Sequence, residues 1–161
     1  MREADGIRRA RFISLAKIPS IIAESSINFD TKNGWYFAVK HLLWRKYTFY
    51  IKNEKGLAVG VLAVEKRSKQ HWHLEVMVVR RAFRGRGYGK ALLGHARQEA
   101  AKSGVSELTC YVDEKNYPSL KMCYAEGYSV VGTRENMLRM CQCLSAQPIS
   151  KQTLKSVQLH K

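Results

Sequence analysis

Three glycines separated by single residues lie between an apolar run and an alanine- and leucine-rich segment, and this arrangement constrains the fold more than any other feature. The glycines are Gly85, Gly87 and Gly89. Residues 74–79 predict a buried strand, and Tyr88–Lys102 predicts a helix. A glycine loop between them can turn its amide N–H groups toward one anion, and the start of the helix adds further donors. The sequence therefore predicts a phosphate-binding loop, with an ordinary tight turn as the simpler alternative.

The residues of the loop indicate which kind of phosphate site it resembles. It lacks the Gly-Lys-Ser/Thr ending of nucleoside triphosphatase loops, and its glycines are not spaced as in the dinucleotide fingerprint. The segment Arg84-Gly-Arg-Gly-Tyr-Gly89 instead resembles the Arg/Gln-x-x-Gly-x-Gly/Ala signature of the GNAT superfamily, the acetyl-CoA-dependent N-acetyltransferases. The residues before it, 78–83, and after it, 90–93, fit the strand end and helix start of that superfamily.

This resemblance implies a set of coenzyme-binding residues. In the superfamily the loop holds the CoA pyrophosphate, and the main chain of the preceding strand pairs with the pantetheine. The strand contacts implied here are Met77, Val78 and Val79. The remaining implied contacts are Arg84, Gly85, Arg86, Gly87, Tyr88, Gly89, Lys90 and Asn116. Acetyl-CoA would be the co-substrate, and the chemistry calls for no metal.

The order of the predicted elements agrees with the resemblance over about residues 5–144. The patterns predict strands at 7–13, 48–52, 57–66, 74–79, 107–112, 128–132 and 137–144, and helices from Ser14 or Pro19 to Ser25 and at 35–47, 88–102 and 118–126. The resemblance implies an α/β (α+β) fold in a single GNAT-like domain, residues 1–144. Its mixed, mostly antiparallel sheet would have six to seven strands, a splayed parallel pair at its centre and about four flanking helices. Residues 145–161 would form a basic C-terminal tail or docking arm.

A second family element leaves two neighbouring residues as candidates for the general acid. GNAT proteins carry a helix of the form Asn-x-x-Ala-x-x-x-Tyr-x-x-x-Gly-Phe. The chain follows this form, with conservative replacements, at Asn116, Ser119, Gly127 and Tyr128. At the tyrosine position it has Cys123, and Tyr124 comes one residue later, a turn of about 100° on a helix. Either Tyr124 or Cys123 would protonate the leaving thiolate, which needs little help.

Glu75 is the candidate general base, because amine attack on a thioester requires a neutral amine and a base helps when the amine arrives as ammonium. An ionisable group within an apolar strand is costly unless it has a partner or a task. His73 lies on the same face by strand alternation and is the second candidate. The amide N–H of Val78 or Val79 would polarise the acetyl carbonyl. The simpler alternative for Glu75 and His73 is a structural role.

The net charge of +15, from 28 Lys and Arg against 13 Asp and Glu, is larger than a coenzyme site needs. It predicts either a highly charged soluble surface or an acidic or nucleic-acid partner. The four cysteines lack metal-ligand spacing, so no metal site is expected, and free thiols favour a cytoplasmic protein. No apolar run reaches the length of a membrane-spanning helix, so no membrane association is expected.

We therefore expect an N-acetyltransferase that moves the acetyl group of acetyl-CoA directly to a primary amine on a protein Lys or N-terminus, as a monomer or homodimer. One alternative is acetylation of a small amine or an aminoacylated RNA, which the positive charge would suit through counterion release. Another is a non-catalytic module that binds CoA or nucleic acid on the same fold, an alternative favoured by the displaced tyrosine.

Overall fold

A computed structural model of the protein describes residues 6–9, 18–22 and 47–144. The strands in these ranges are β1 (Gly6–Arg9), β2 (Tyr47–Glu54), β3 (Leu57–Lys66), β4 (His71–Val79), β5 (Glu107–Asp113), β6 (Ser129–Arg134) and β7 (Met137–Cys143). The helices are α1 (Ile18–Ile22), α2 (Tyr88–Lys102) and α3 (Tyr117–Ala125), and a 3-10 turn spans Arg81–Phe83. None of the helices described is long and apolar enough to span a membrane.

The seven strands form one sheet in the order β1-β2-β3-β4-β5-β7-β6. Every neighbouring pair is antiparallel except β4 and β5, which are parallel. Parallel neighbours require a crossover, and α2 supplies it between these two strands. The fold prediction of a mixed, mostly antiparallel sheet with a parallel pair at its centre is confirmed.

Several predicted boundaries differ from those observed, and two predicted segments lie outside the described residues. Strand β2 runs over Tyr47–Glu54 and is longer than the predicted 48–52, because a two-residue turn, Lys55 and Gly56, connects it to β3. Both turn residues have positive φ, 48° and 79°, as in the tight turns that suit twisted hairpins. Tyr47, predicted to end a helix, begins this strand. The rest of the predicted helix at 35–47 and the tail at 145–161 are not among the described residues.

Apolar side chains cover both faces of the sheet. On one face, α2 and α3 pack on a core that includes Leu62, Trp72, Leu74, Leu92, Leu108 and Met140. On the other face, α1 packs on a smaller core that includes Ile21, Ile51, Val61, Ala63, Val76 and Val78. The central strands β3 and β4 are therefore covered by apolar side chains on both faces.

Strand β4 contains a β-bulge at Glu75. Its neighbours Leu74 and Val76 pair with Val64 and Ala63, which are consecutive in β3, so Glu75 is an extra residue without a counterpart there. Side chains on β4 change their alternation at this point: Leu74 contributes to the core under α2, whereas Val76 contributes to the core under α1. The bulge therefore interrupts the regular ladder at the residue that was predicted as the general base.

Candidate active site

Strands β4 and β5 separate after a short paired segment. Their pairing runs from His71 opposite Glu107 to Leu74 opposite Cys110 and ends there. Beyond this point β4 remains paired with β3 as far as Val79, and β5 remains paired with β7. The two strands thus form an open fork in which one backbone edge of each has no strand partner among the residues that the structure describes. Such an edge can pair with an extended ligand.

Alternation along β4 decides which backbone groups face this fork. The Arg80 amide donates to the Val59 carbonyl at 2.9 Å, so the backbone of Val78, two residues earlier, also points toward β3. The backbone groups of Met77 and Val79 point the other way, into the fork. Of the three strand residues that the resemblance implies as main-chain contacts, two are oriented for that role and Val78 is not. The Val79 carbonyl accepts a hydrogen bond from Arg84 Nε at 3.1 Å.

The glycine loop leaves the start of α2 without a side-chain cap. Gly85 and Gly87 have φ of 75° and 78°, and Gly87 is the N-cap of the helix. A Cβ at either glycine would meet nothing within 4 Å, so open space lies beside the loop. The first amides of a helix have no intrahelical acceptor and attract anions. The loop therefore fits the pyrophosphate of CoA, through amide donors and space for the phosphates.

A cavity of about 550 Å³ lies beside this loop. All but one of the residues implied as coenzyme contacts line it, including Met77, Val79, Gly87 and Asn116. The exception is Arg86, whose guanidinium lies 5.1 Å from the centre of the Phe83 ring. The predicted coenzyme residues, though far apart in sequence, are thus brought together around one opening.

Two further features of this cavity were not predicted from the sequence. Asn116 caps α3, because its Oδ1 accepts a hydrogen bond from the Ser119 amide at 3.3 Å. Met122 of α3 packs against the start of α2, and a Cβ at Gly89 would lie 2.9 Å from its Sδ. The third glycine therefore permits close packing of α3 on α2. The need for glycine at position 89 arises from Met122, which is distant in sequence, so no local signal reveals it.

A second cavity, of about 760 Å³, opens at the fork. It shares Met77, Asn116 and Met122 with the first cavity, so the two adjoin. Glu75 and Cys123 both line it. Tyr124 lies outside both linings and is 53% exposed. The structure thus brings Cys123, and not Tyr124, to the cavity of the predicted base.

Two cysteines meet in the wall of the second cavity. Cys110 on β5 and Cys123 on α3 are buried, and their thiols are hydrogen-bonded to each other. This hydrogen bond and burial raise the pKa of Cys110, whereas the same hydrogen bond lowers the pKa of Cys123. Cys123 is therefore the better proton donor of the two.

The side chains of Glu75 and His73 lie close to each other. His73 Nε2 is 3.6 Å from Glu75 Oε2, and the side chains are 4% and 29% exposed. Burial, and secondarily the charge of Arg67, lowers the pKa of His73 to about 4. His73 is therefore neutral at neutral pH and is enclosed behind Glu75. Glu75, and not His73, lines the cavity.

No group of three or more His, Cys, Asp or Glu side chains within the described ranges is arranged to hold a metal ion. The cysteines in these ranges are unpaired thiols. The two cavities thus offer backbone amides, carboxylates, thiols, basic side chains and apolar walls, a set suited to proton transfer and anion binding.

Comparisons with known proteins agree with this geometry. A sequence model of the acetyltransferase (GNAT) family matches residues 16–128. The ribosomal-protein-S18-alanine N-acetyltransferase from Escherichia coli superposes with a TM-score of 0.75 at 17% identity, over 90% of this chain and 97% of that chain. The PaiA N-acetyltransferase from Thermoplasma acidophilum, in complex with coenzyme A, superposes with a TM-score of 0.71 at 16% identity, over 86% of this chain and 98% of that chain. Aminoglycoside 6'-acetyltransferase type Ii superposes with a TM-score of 0.73 at 15% identity, over 88% of this chain and 99% of that chain.

No relative with a curated functional description matches the sequence significantly. At these low identities the solved structures show the fold alone, whereas the family model covers more than half of the chain. The chain therefore belongs to the GNAT acetyltransferase family and is an acetyl-CoA-dependent N-acetyltransferase.

Proposed function

We propose that the protein transfers the acetyl group of acetyl-CoA directly to a primary amine of another protein, a Lys side chain or an N-terminus. The observation that carries this proposal is that Glu75 and Cys123 line one cavity at the fork of β4 and β5. A base and an acid on one cavity are the two groups that direct amine acetylation needs. The similar Escherichia coli enzyme acts on an alanine of ribosomal protein S18, so this fold is compatible with a protein acceptor.

The coenzyme would be held by backbone groups for the most part. The free amides at the start of α2 would bind the pyrophosphate, and Met77 and Val79 would pair with the pantetheine along the fork. Bound acetyl-CoA supplies a thioester carbonyl carbon for the amine to attack. The Val79 amide, which faces the fork by alternation, would polarise that carbonyl. Arg84 and Arg86 add positive charge at the loop.

Proton transfer would follow from the positions of the two side chains. The Glu75 carboxylate, partly exposed in the cavity, takes a proton from the ammonium form of the acceptor. The Cys123 thiol, in the position where the family form has tyrosine, donates a proton to the leaving sulfur and then takes the second proton that the attacking nitrogen loses. The attack is direct, so no covalent bond to the enzyme forms. An N-terminal amine, with a pKa of about 8, demands less of the base than a Lys amine near 10.4.

The surface around the cavities supports an acidic protein as the acceptor. Tyr111 lines the second cavity and is exposed, and Lys115 and Lys121 line the two openings. Exposed aromatic rings and basic side chains are suited to a protein surface that carries negative charge. The net charge of +15 extends this preference to the whole molecule.

The same charge favours one competing acceptor, an aminoacylated RNA. Binding to RNA would weaken steeply with salt because each phosphate contact releases a counterion. A turnover rate that hardly changes between about 50 mM and 200 mM salt would exclude RNA as the acceptor. A small amine is the remaining alternative.

A thiol-release assay with acetyl-CoA tests the proposal. The acceptors are a Lys-free peptide that begins with a free alanine, an N-terminally blocked peptide with one Lys, spermidine, and an aminoacylated RNA. We expect turnover with one or both peptides and its loss in Glu75→Gln. Turnover confined to spermidine or RNA would contradict the proposal that the acceptor is a protein. Binding of acetyl-CoA without turnover on any amine would favour the non-catalytic module.

A further inference from the structure

The hydroxyl of Thr109 lies between two histidine rings. Its Oγ1 is 2.7 Å from His71 Nε2 and 2.9 Å from His73 Nδ1. The register of the parallel pair produces this contact, because His73 is paired with Thr109 and His71 lies two residues earlier on the same face. A threonine hydroxyl can accept one hydrogen bond and donate another at once. Thr109 therefore links the two rings in series.

The inner end of this series reaches the active-site cavity and the outer end reaches the surface. His73 Nε2 lies 3.6 Å from Glu75 Oε2, and Glu75 lines the second cavity. His73 itself is 3% exposed, and Thr109 is buried. His71 at the other end is only half-buried. Glu75, His73, Thr109 and His71 thus form one continuous row through the buried start of the parallel pair, and we call it the β4–β5 polar row.

We propose that the β4–β5 polar row carries the proton that Glu75 takes from the acceptor amine out to solvent, with Thr109 as its central link. This role rests on the acetyl transfer proposed above. The Glu75 carboxylic acid gives its proton to His73 Nε2, and His73 Nδ1–H passes its proton to Thr109 Oγ1. The Thr109 hydroxyl proton moves to His71 Nε2, and water removes a proton from His71 Nδ1. One proton enters and one leaves, Glu75 is a carboxylate again, and both rings are left in the opposite tautomer, which ring rotation or proton exchange restores before the next turnover.

The overall reaction creates the need for such a path. An ammonium acceptor has one more proton than the amide and thiol products together can keep, so one proton leaves in each turnover. Glu75 lies in a cavity that the coenzyme and the acceptor fill during the reaction. The β4–β5 polar row, in which two hydrogen bonds of Thr109 follow a 3.6 Å approach of His73 to Glu75, would allow Glu75 to lose its proton while the cavity is occupied.

The groups around His73 prevent it from retaining the proton. The charged and titratable side chains that act on it from β3, the β3–β4 turn, β4, β5 and β7 are Glu65, Arg67, His71, Glu75, Tyr111 and Arg139. Glu65 is engaged by Arg67 at 3.0 Å, so its charge is largely compensated. With a pKa of about 4, His73 resembles a carboxylic acid in proton affinity. The free-energy change for moving a proton from an ordinary carboxyl group to this ring is therefore small.

Thr109→Val and Thr109→Ser test the link, because valine keeps the shape and removes the hydroxyl whereas serine restores it. The assay uses acetyl-CoA and the peptide that begins with alanine. We expect Thr109→Val to lower kcat about tenfold or more, with the KM for acetyl-CoA unchanged, and Thr109→Ser to retain most of the rate. Added imidazole should recover part of the rate in Thr109→Val by accepting the proton directly. Thr133→Val, on exposed β6, is the matched control and should change neither constant.

NMR of the histidine rings provides a measurement that needs no acceptor. In the unaltered protein His71 Nε2 and His73 Nδ1 should each show a hydrogen bond to Thr109, and Thr109→Val should remove both. A wild-type kcat in Thr109→Val, or a Thr109→Ser as slow as Thr109→Val, would overturn the proton path and leave the acetyl transfer intact. Absence of wild-type turnover on every amine would instead overturn the proposed function and the path with it.

Discussion

The hydroxyl of Tyr88 donates a hydrogen bond to Glu54 Oε2 at 2.5 Å. Tyr88 is the first residue of α2, and Glu54 is the last residue of β2. This contact attaches the phosphate-binding loop to the β2–β3 hairpin, and Lys52 Nζ lies 5.4 Å from the centre of the same ring. The hydrogen bond to Glu54 raises the pKa of Tyr88, so the phenol remains a donor. The loop is thereby attached to Glu54, which does not line the coenzyme cavity.

Tyr88→Phe should weaken acetyl-CoA binding about threefold and leave kcat nearly unchanged, because it removes one hydrogen bond and keeps the ring. Isothermal titration with CoA and steady-state kinetics would measure the two effects. Tyr117→Phe is the matched control, since Tyr117 also begins a helix but is 73% exposed. An equal loss of affinity in both variants would contradict the attachment.

Gly87→Glu should abolish measurable CoA binding, because it places a carboxylate at the helix start that is predicted to hold the pyrophosphate. Gly104→Glu controls for backbone strain, since Gly104 has a φ of 72° against 78° and equally open surroundings. Gly104 lies beyond the opposite end of the same helix. Titration calorimetry should give the control nearly unaltered affinity. Tight CoA binding by Gly87→Glu would show that the phosphates lie elsewhere.

Cys123→Ala should lower kcat about tenfold, whereas Tyr124→Phe should change it less than about twofold. The reason is that Cys123 lines the cavity at the fork and Tyr124 does not. Thermal unfolding must accompany the kinetics, because Cys123 is buried and its truncation also removes packing. Cys123→Ser, which retains a donor, should fall between the wild type and the alanine variant. The opposite ranking would assign the acid role to the tyrosine.

His73 should make folding stability depend on pH below neutrality. Its pKa falls from 6.5 to about 4 in the folded protein, so the unfolded chain binds this proton more readily. The free energy of unfolding is unaffected by this group above about pH 6.5 and decreases as the pH falls toward 4, by about 3 kcal/mol at most. Urea unfolding at several pH values should show this slope, and His73→Gln should remove it.

His95→Gln is the control for that slope. Burial also lowers the pKa of His95, but this ring is only partly buried and packs edge-on against Tyr50. Its replacement should remove a smaller share of the pH dependence. An equal share from both histidines would contradict the stronger enclosure of His73.

Features that depend on neighbouring residues were predictable from the sequence. Helix α2 begins at Tyr88 and ends at Lys102, as predicted. Its start is set by glycines at 85 and 87 with positive φ, and its end by Ser103 and Gly104. Both signals act within a few residues of the helix. The loop and the helix could therefore be recognised from local signals, whereas the parallel pair was implied by the resemblance to the GNAT superfamily.

Features that depend on distant residues were not predictable. The orientation of the Val78 backbone follows from its pairing with Val61, which strand periodicity alone does not fix. The contact of Thr109 with His71 and His73 depends on the register of two strands joined by a long crossover. A single sequence carries the period of a strand but not the partner opposite each residue.

The bulge in β4 shows that the sheet can be built without its predicted base. If Glu75 were deleted, Leu74 and Val76 could pair in an unbroken ladder with Val64 and Ala63. Each later side chain would keep its present core, because the alternation of Leu74, Val76 and Met77 is already regular without the inserted residue. The pairing of β4 with β3 thus does not depend on the residue that is predicted to be the base. We therefore expect substitutions at position 75 to leave the alignment of β3 with β4 unchanged.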